Sequence, residues 1–408
     1  MRLASRPGLY CPYCYEQIQE QQIGFRCTGQ FSRSGKRCDR AVDEQLRDRM
    51  HFSASLPPAF AADGRRNAAQ CPHCGAETTV KICPVCHSRL PVHFGKLPSR
   101  LIVPVGAKES GKTVFMTVLV HELMNRAGQR LNASLIGADD GTRQRYTSDY
   151  ERPMYQQAEL LAPTTPPETP NRAPLVFRFT ADGNGDGGRG ARIGRAGWFG
   201  RGEPQRTLLS FFDTAGEDLA TQAAVEQNVR YLRAADGIML LLDPLQMPGA
   251  RALAAPGTRW PSSLDDDETA PVTVLENVTD QLLAQTGTGP NQRIPKPLAI
   301  VFTKMDALQN DLQETSPLRR PPPRTPYFDE RDSCDVHAEM QRLLDRWYGS
   351  RIDQIARKYY DHYRYFGVSA LGQSPTPDNR VSPRGIQPYR VTSPILWLLA
   401  QFGIIPVK

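Results

Sequence analysis

The chain has 408 residues, 39% of them hydrophobic, and a formal net charge of +7 at pH 7. This length can bury the core of one sizeable domain together with small modules that depend on a metal. No apolar run approaches the roughly 20 residues of a membrane-spanning helix, so no such helix is predicted. The N-terminus does not resemble a signal peptide, so we expect a cytoplasmic protein.

Cysteine dominates the first hundred residues, which hold eight of the nine cysteines of the chain. The later half of this stretch has two CxxC pairs separated by eight residues, a spacing that places four thiolates around one tetrahedral zinc ion. The earlier half has one CxxC pair and two single cysteines. The sequence predicts two zinc sites, one formed by Cys11, Cys14, Cys27 and Cys38 and the other by Cys71, Cys74, Cys83 and Cys86.

Two alternatives to this ligand assignment stay open. His51 can replace one cysteine of the first site, and the two sites can interleave their ligands. Disulfides are disfavoured, because nothing in the sequence directs the chain to an oxidising compartment. The cysteines already fill two tetrahedra, so the remaining histidines of this stretch are interpreted as bystanders. These are His73, His87 and His93.

The N-terminal region is thus predicted to contain a first zinc module over 1–45, a connector over 46–69 and a second zinc ribbon over 70–95. A short helix is expected near 43–51. Residues 1–100 carry 15 Lys and Arg against 8 Asp and Glu, so the formal charge excess lies here. Two Zn²⁺ ions with eight thiolates subtract about four charges and leave the region only mildly basic. Without an aromatic and basic stripe, this favours a protein partner over nucleic acid.

A phosphate-binding motif occupies 106–113, where the sequence GxxxxGKT follows an apolar strand at 101–105 and precedes an apolar helix. Glycines let backbone N–H groups turn toward phosphates, and the N-terminus of the helix adds its positive dipole end. Lys112 would reach the β- and γ-phosphates, while the Thr113 hydroxyl would bind Mg²⁺. The predicted nucleotide contacts are Gly106, Glu109, Ser110, Gly111, Lys112, Thr113 and Val114.

A second candidate segment follows the strand predicted over 206–212 and reads DTAG. Asp213 can hold Mg²⁺ through a water molecule, and the Gly216 N–H can contact a γ-phosphate. A DxxG sequence alone is weakly specific. Its position directly after an apolar strand is what supports the assignment.

The base-recognition segment follows the strand predicted over 297–302 and reads TKxD. The Asp306 carboxylate can accept two hydrogen bonds from the N1–H and N2–H₂ groups of guanine, whereas adenine has an acceptor at N1 and no N2 amine. After another strand, at 365–368, a backbone N–H can contact the guanine O6. These features disfavour a P-loop kinase or ATPase. The residues assigned to base recognition are Thr303, Lys304, Asp306, Ser369 and Ala370.

The order GxxxxGKT, DxxG, TKxD and SA, each after a predicted parallel strand, resembles the Ras-like GTPase superfamily and its translation-factor-related members. The resemblance covers roughly 100–408. It implies an α/β fold, a G domain whose mostly parallel sheet is flanked by helices, with GTP or GDP and Mg²⁺ as ligands. The motifs lie further apart than in a minimal G domain. Three insertions are therefore predicted near 181–205, 244–297 and 307–363.

Composition distinguishes the insertions. The first is rich in Gly and Arg and lies between strands predicted over 175–180 and 207–212, so it is interpreted as a long hairpin loop. The second contains a predicted helix near 272–283, and the third a strongly periodic helix from about 334 to 363. The chain closes with an apolar helix over 393–402 that has a proline in its first turn.

Hydrolysis is expected to be slow. Where Ras-like proteins carry a water-orienting glutamine, this chain has Glu217, which cannot donate to a γ-phosphate and adds negative charge beside it. The switch threonine is assigned to Thr164 or Thr165, in a proline-rich loop. An arginine finger can come from the first insertion, for example Arg192 or Arg195, or from a partner. The residues assigned to catalysis are Lys112, Thr113, Asp213, Gly216 and Glu217.

Zinc ribbons followed by such a G domain resemble the bacterial translation-factor-related GTPases of conflict or signalling systems, called double-GTPase proteins. The resemblance implies a GTP-binding regulatory switch with slow hydrolysis that gates a protein partner, either another GTPase or a second copy of the chain. The competing interpretation is a zinc-ribbon adaptor for protein or nucleic acid, whose G domain binds guanine nucleotide with little turnover.

Overall fold

The structure is a computed structural model that describes eleven stretches of the chain. The described residues are 9–50, 52–92, 94–96, 99–107, 109–161, 174–181, 205–211, 230–261, 270–286, 292–376 and 378–408.

Short strands and one helix build the described part of the N-terminal region. In chain order they are β1 (Gly24–Arg26), β2 (Ala41–Val42), α1 (Glu44–Met50), β3 (Ser55–Leu56), β4 (Ala59–Phe60), β5 (Ala69–Gln70), β6 (Glu77–Thr78) and β7 (Lys81–Ile82). Strand β1 pairs antiparallel with both β4 and β7. One sheet therefore unites strands from the three stretches that the sequence analysis treated as 1–45, 46–69 and 70–95. Strands this short need partners to be stable, and here the partners lie far apart in sequence.

Helix α1 confirms the helix predicted near 43–51. The Asp43 side chain accepts a hydrogen bond from the Leu46 N–H at 3.1 Å and caps the helix. The same carboxylate lies 2.6 Å from the Arg26 guanidinium and 2.9 Å from His87 Nδ1. Burial acts to raise the pKa of Asp43, but the bonds from Arg26 and the Leu46 N–H outweigh it and hold that pKa below its ordinary value.

A seven-stranded sheet forms the centre of the remaining chain. Its strands are β8 (Ser99–Gly106), β9 (Ala133–Gly137), β10 (Leu175–Ala181), β11 (Gln205–Phe211), β12 (Gly237–Leu242), β13 (Leu298–Phe302) and β14 (Tyr363–Gly367). The spatial order is β14-β13-β12-β8-β11-β10-β9. Strand β8 is parallel to both of its neighbours, and β12, β13 and β14 continue the parallel arrangement. The predicted α/β class with a mostly parallel sheet is confirmed.

Strand β8 lies between β11 and β12: from β8 the chain runs to the edge strand β9, returns through β10 to β11, and then crosses to β12 on the other side. A reversal of this kind opens a crevice at the carboxyl ends of the strands, where ligands of open α/β sheets bind. Strand β12 consists entirely of buried residues, the continuous apolar run expected of a parallel strand covered on both faces.

The arms of the predicted hairpin are confirmed. Strands β10 and β11 pair antiparallel from Leu175 opposite Phe211 to Ala181 opposite Gln205. The intervening loop, with Arg192 and Arg195, lies outside the described residues. Strand β9, which the sequence did not predict, pairs with the other edge of β10.

Helices cover both faces of the sheet. Those described are α2 (Lys112–Met124), α3 (Arg126–Arg130), α4 (Asp140–Arg145), a π-helix (Tyr146–Gln156), α5 (Pro248–Arg251), α6 (Pro271–Thr286), α7 (Glu330–Arg346), α8 (Ser350–Tyr359) and α9 (Ser393–Gln401), with 3₁₀ turns at Glu20–Gln22, Pro244–Gln246 and Met305–Asp311. Helices α6, α7 and α8 contribute to the core on one face, and α2, α9 and the π-helix to the core on the other. Among the described residues, no helix combines the length and apolarity needed to cross a bilayer.

The single helix predicted over 334–363 is wrong. The structure has α7, a reversal, α8 and then β14 in this stretch. At the reversal Tyr348 adopts a left-handed φ of 62°, and the Gly349 N–H donates to the Leu344 carbonyl at 2.8 Å. The periodicity continued across the break because both helices bury one apolar face against the same core. The predicted helices near 272–283 and 393–402 are confirmed as α6 and α9.

Candidate functional site

The loop between β8 and α2 is held in a tight conformation. A Cβ atom at Gly106 would lie 2.6 Å from Ser110 Oγ and 2.7 Å from the Leu241 carbonyl oxygen, so only glycine fits there. Glu109 and Gly111 adopt left-handed φ angles of 62° and 79°. Helix α2 begins directly after this turn. Its N-terminus therefore faces the crevice beside β8, where its dipole and first N–H groups favour an anion.

Two polar residues of this loop are buried, whereas Glu109 is exposed and Thr113 partly buried. Lys112 is only 7% exposed, and Ser110 only 1%. Among the described residues, the Ser110 hydroxyl has no hydrogen-bond partner. Thr113 lies in the first turn of α2, and its carbonyl accepts from the Thr117 hydroxyl at 2.8 Å. Val114, the last predicted contact, is partly buried against the core below α2.

A hydrogen bond joins the first motif to the TKxD segment. The Thr303 hydroxyl, directly after β13, donates to the Ser110 carbonyl at 2.9 Å and approaches the Leu242 carbonyl at 3.2 Å. The two segments come from distant parts of the chain, yet they meet at one edge of the sheet. The structure thus brings together residues that the sequence assigned to phosphate and to base recognition.

Asp243 is a site residue that the sequence analysis missed. Its side chain, 1% exposed, lies at the end of β12 and accepts a hydrogen bond from Lys304 Nζ at 2.6 Å. It also accepts from the Leu245 N–H at 2.9 Å. Lys304 itself has a left-handed φ of 54°. The sequence did contain one indication of this residue, because Asp243 directly follows the apolar run of β12.

Asp306 and Ser369 form the other end of the site. The Ser369 hydroxyl donates to Asp306 Oδ1 at 2.5 Å and accepts from the Gly372 N–H at 2.9 Å. Burial raises the pKa of Asp306 above its ordinary value, and the bond from Ser369 acts in the opposite direction. The Ser369 N–H donates to the Tyr389 carbonyl at 3.0 Å.

A recess opens beside the Asp306 carboxylate. Gln309, Gly367, Ser369 and Tyr389 contribute to its wall, and it holds about 230 Å³ including its open mouth. Its wall combines apolar and hydrogen-bonding groups, and its free space is about that of one water molecule.

Several predicted residues lie outside the described part of the chain. These are Asp213, Gly216 and Glu217 after β11, Thr164 and Thr165 before β10, and two histidines, His51 and His93. The strand β11 itself is described and ends at Phe211, two positions before Asp213.

The eight N-terminal cysteines form two clusters whose composition differs from the prediction. In each cluster the four cysteine Sγ atoms all lie within 4.8 Å of one another. The clusters are Cys11, Cys14, Cys83 and Cys86, called the outer site, and Cys27, Cys38, Cys71 and Cys74, called the inner site. The predicted assignment of consecutive cysteines is wrong, and the alternative in which the two sites interleave is correct. Pairing of β1 with β7 explains this, because it brings the early and late cysteines together.

The sulfur geometry fits zinc. A tetrahedral ion with Zn–S distances of about 2.3 Å needs sulfur atoms about 3.8 Å apart. In the outer site Cys11 lies 3.9 Å from Cys86, and Cys14 3.8 Å from Cys83. In the inner site the corresponding distances are 3.7 Å and 3.6 Å. All the cysteines are free of disulfides. His73 and His87 belong to neither cluster, as predicted.

One curated relative spans nearly the whole chain. A protein of Mycolicibacterium smegmatis, provisionally described as an ESX-1 scaffolding and assembly protein, SaeC, is 30% identical over 375 residues. The match covers 86% of this chain and 85% of that protein. No protein-family model matches the chain.

Solved structures of GTP-binding proteins are distant neighbours. Sup35 complexed with GDP matches with a TM-score of 0.24 and 13% identity over 67% of this chain, and the GTPase-like domain of Saccharomyces cerevisiae Ski7 with 0.31 and 13% over 75%. The chain spans 38% and 50% of those two structures. The Chaetomium thermophilum signal recognition particle receptor complex SRb-GTP/SRX matches with 0.27 and 16% over 67% of this chain and 95% of that one.

Proposed function

The chain belongs to the family of the Mycolicibacterium smegmatis protein SaeC, and we propose that it is a guanine-nucleotide-binding switch with slow GTP hydrolysis. The observation that carries the proposal is the bond from Thr303 to the Ser110 carbonyl. It holds a phosphate-binding turn and a base-reading carboxylate in one crevice at the carboxyl edge of the sheet.

At the phosphate end, the N-terminus of α2 and the turn over 106–113 bind the phosphates through backbone N–H groups. Lys112 contacts the β- and γ-phosphates. Thr113 and Asp213 would hold Mg²⁺, whose charge would offset that of the phosphates, and the Gly216 N–H would contact the γ-phosphate. The tight packing around Gly106 supports this assignment, because such a turn lets a ligand approach the backbone closely.

At the base end, the Asp306 carboxylate accepts from the guanine N1–H and N2–H₂ groups. Ser369 orients this carboxylate through its 2.5 Å bond. The Ala370 N–H donates to the guanine O6. Lys304 keeps the segment in place through the buried Asp243. A site that satisfies its polar groups only with guanine rejects adenine by roughly 10⁴-fold or more.

Hydrolysis is slow because Glu217 occupies the water-orienting position, so a partner is needed for acceleration. The relationship to a scaffolding and assembly protein supports a protein partner, whose binding changes with the nucleotide. Another GTPase or a second copy of the chain fits this role. The zinc sites and the nucleotide-binding part, from about residue 100, then act in one cytoplasmic molecule.

The test is titration of the full chain with fluorescent GDP, GTP and ATP, followed by phosphate release at saturating GTP. Tight binding of both guanine nucleotides, no measurable binding of ATP and turnover below about 10⁻³ per second are expected. Tight ATP binding would contradict the proposed base recognition. Tight GTP binding without any phosphate release would instead favour an adaptor that uses the nucleotide as a structural ligand.

A further inference from the structure

The first knuckle of the outer site is packed against the nucleotide-binding part of the chain. The Pro12 carbonyl accepts from the Ser210 hydroxyl on β11 at 3.4 Å. The Tyr13 hydroxyl donates to Asp139 Oδ2 at 2.8 Å. These contacts place the outer metal site against the sheet and against the loop that caps α4.

Tyr15 extends from this knuckle into the main core. Its side chain is 1% exposed and belongs to the same apolar cluster as Leu101 and Val103 of β8, the strand that leads into the phosphate-binding turn. Its ring centroid lies 5.0 Å from that of Tyr231. The next residue, Glu16, forms an ion pair with Arg230 at 3.5 Å.

The backbone at Tyr15 has the left-handed conformation that follows each of the three CxxC pairs. Tyr15 has a left-handed φ of 61°, a conformation that is costly for a bulky residue. At the equivalent position after the inner-site knuckle stands Gly75, with φ 75°. His87, after the Cys83 and Cys86 pair, has a φ of 56°, so the conformation belongs to the turn itself, and at Tyr15 the contacts of the side chain with the core offset its cost.

The outer site also covers β11. Leu208 shares an apolar cluster with Cys11, Cys83 and Cys86. Strand β11 is hydrogen-bonded to β8 from Leu208 opposite Ser99 to Ser210 opposite Leu101. Further along the sheet, helices cover the same face. Next to β11 the residues of the metal site cover the apolar face instead of a helix.

The inner site differs in its surroundings. Its apolar neighbours, Ala76 and Phe60, both belong to the N-terminal region. Its knuckle residues Pro72 and His73 are exposed. The two sites can therefore be compared: the outer one packs on the sheet, and the described apolar neighbours of the inner one all lie in the N-terminal region.

We infer that zinc at the outer site and guanine nucleotide bind cooperatively, an inference that rests on the proposed nucleotide binding. A bound metal fixes the knuckle, and the knuckle holds Tyr15 against Tyr231 in the core that includes β8, and Pro12 against β11. Ordering of the same strands positions the phosphate-binding turn. Binding of either ligand therefore reduces the conformational entropy that is lost when the other binds. By thermodynamic linkage, zinc raises GDP affinity by the same factor by which GDP raises zinc affinity.

The first experiment compares two double variants of the full chain. Cys11→Ser with Cys14→Ser should lower the zinc content from two to one per chain and weaken GDP binding by about 5- to 150-fold. Cys71→Ser with Cys74→Ser should lower the zinc content equally and weaken GDP binding less than the outer-site variant does, because the inner site does not contact the sheet directly. Equal GDP affinity in both variants would overturn the inference.

Since the cysteine variants can lose folded structure, a second comparison keeps both metals. Tyr15→Gly relieves the backbone strain and removes the core contact, so GDP affinity should fall at least about 5-fold with two zinc ions retained. His87→Gly, at the equivalent position after Cys86, removes only a contact to Asp43 and should not change it. A loss of the same size in both variants would overturn the inference.

Reciprocity gives the decisive measurement on the unmodified chain. A chelator competition with and without saturating GDP should show zinc held more tightly at one site, by the same factor that zinc changes GDP affinity. Identical zinc affinities in a chain that binds GDP would overturn the coupling alone. A chain that binds no guanine nucleotide would refute the proposed function and the coupling with it.

Discussion

Lys304 and Asp243 form an ion pair between the ends of β13 and β12, with Nζ and Oδ2 2.6 Å apart and the carboxylate almost fully buried. The pair fixes the backbone of the TKxD segment next to the phosphate-binding turn. A buried carboxylate is costly unless it is paired, so the lysine has a structural role before any nucleotide binds.

Replacing Lys304 by alanine should therefore destabilise the nucleotide-free protein by about 3 kcal/mol, because it leaves the buried Asp243 carboxylate without its cation. Urea unfolding in the absence of nucleotide measures this. The double variant Asp243→Ala with Lys304→Ala should lose less than the sum of the single variants. A loss below about 0.5 kcal/mol for Lys304→Ala would show that the pair contributes little.

Asp306→Asn should convert guanine recognition into xanthine recognition. The amide N–H₂ can donate to the C2 oxygen of xanthine, but it cannot accept both guanine donors. We expect GDP affinity to fall by about 10²-fold or more and xanthosine diphosphate affinity to rise. Competition against fluorescent GDP measures both, with Asp311→Asn, outside the recess, as the matched control. Unchanged GDP affinity would remove Asp306 from the base site.

Ser369→Ala should change the pH dependence of GDP binding. Only the ionised Asp306 accepts from guanine, so affinity falls as the pH drops through the pKa of Asp306, which burial has raised. The Ser369 hydroxyl opposes that rise, and its removal should move the acid limb of the affinity profile to higher pH. Titrations of GDP binding from about pH 4.5 to 8 test this. An unshifted acid limb with uniformly weaker binding would indicate that Ser369 only orients the carboxylate.

Glu217→Gln should leave GTP turnover unchanged or faster, since an amide can both accept from water and donate to the γ-phosphate. Lys112→Ala should abolish binding and turnover together. Single-turnover phosphate release by the full chain distinguishes these effects. If the unmodified chain hydrolyses GTP at about one per second and Glu217→Gln loses that activity, Glu217 is the working base and no activator is required.

His337 should make stability depend on pH. Its ring stacks on Tyr365 at 5.1 Å, its Nδ1 accepts from the Tyr365 N–H at 3.1 Å, and burial lowers its pKa from 6.5 to about 4. Between these values the unfolded state binds more protons, so stability falls as pH falls, by roughly 1–2 kcal/mol after allowance for partial exposure.

The variant His337→Phe keeps a ring but cannot titrate. From about pH 7 to about pH 4.5 the unfolding free energy of the unmodified chain should therefore fall relative to that of the variant. Urea unfolding across this range provides the measurement. A difference that stays constant with pH would show that His337 does not change its proton affinity on folding.

The strands next to the motifs were predictable from sequence, because buried parallel strands such as β12 and β13 are continuous apolar runs that end in polar residues. The cysteine pairing was not, since a CxxC spacing defines half of a site and the other half depends on which strands pair. Likewise periodicity alone did not reveal the reversal at Tyr348, and Asp243 belonged to no motif. Local patterns specify local structure, whereas these features depend on contacts between distant segments.

The order of the cysteines makes the inner site lie wholly within the outer one along the chain. Cys38 and Cys71 are 33 residues apart, whereas Cys14 and Cys83 are 69 apart. Closing the inner loop first removes most of the free chain between the outer cysteines and lowers the entropy cost of closing them by about 1 kcal/mol. During synthesis Cys71 and Cys74 also emerge before Cys83 and Cys86. Metal loading should therefore proceed from the inside outward, so the site that contacts the sheet is completed last.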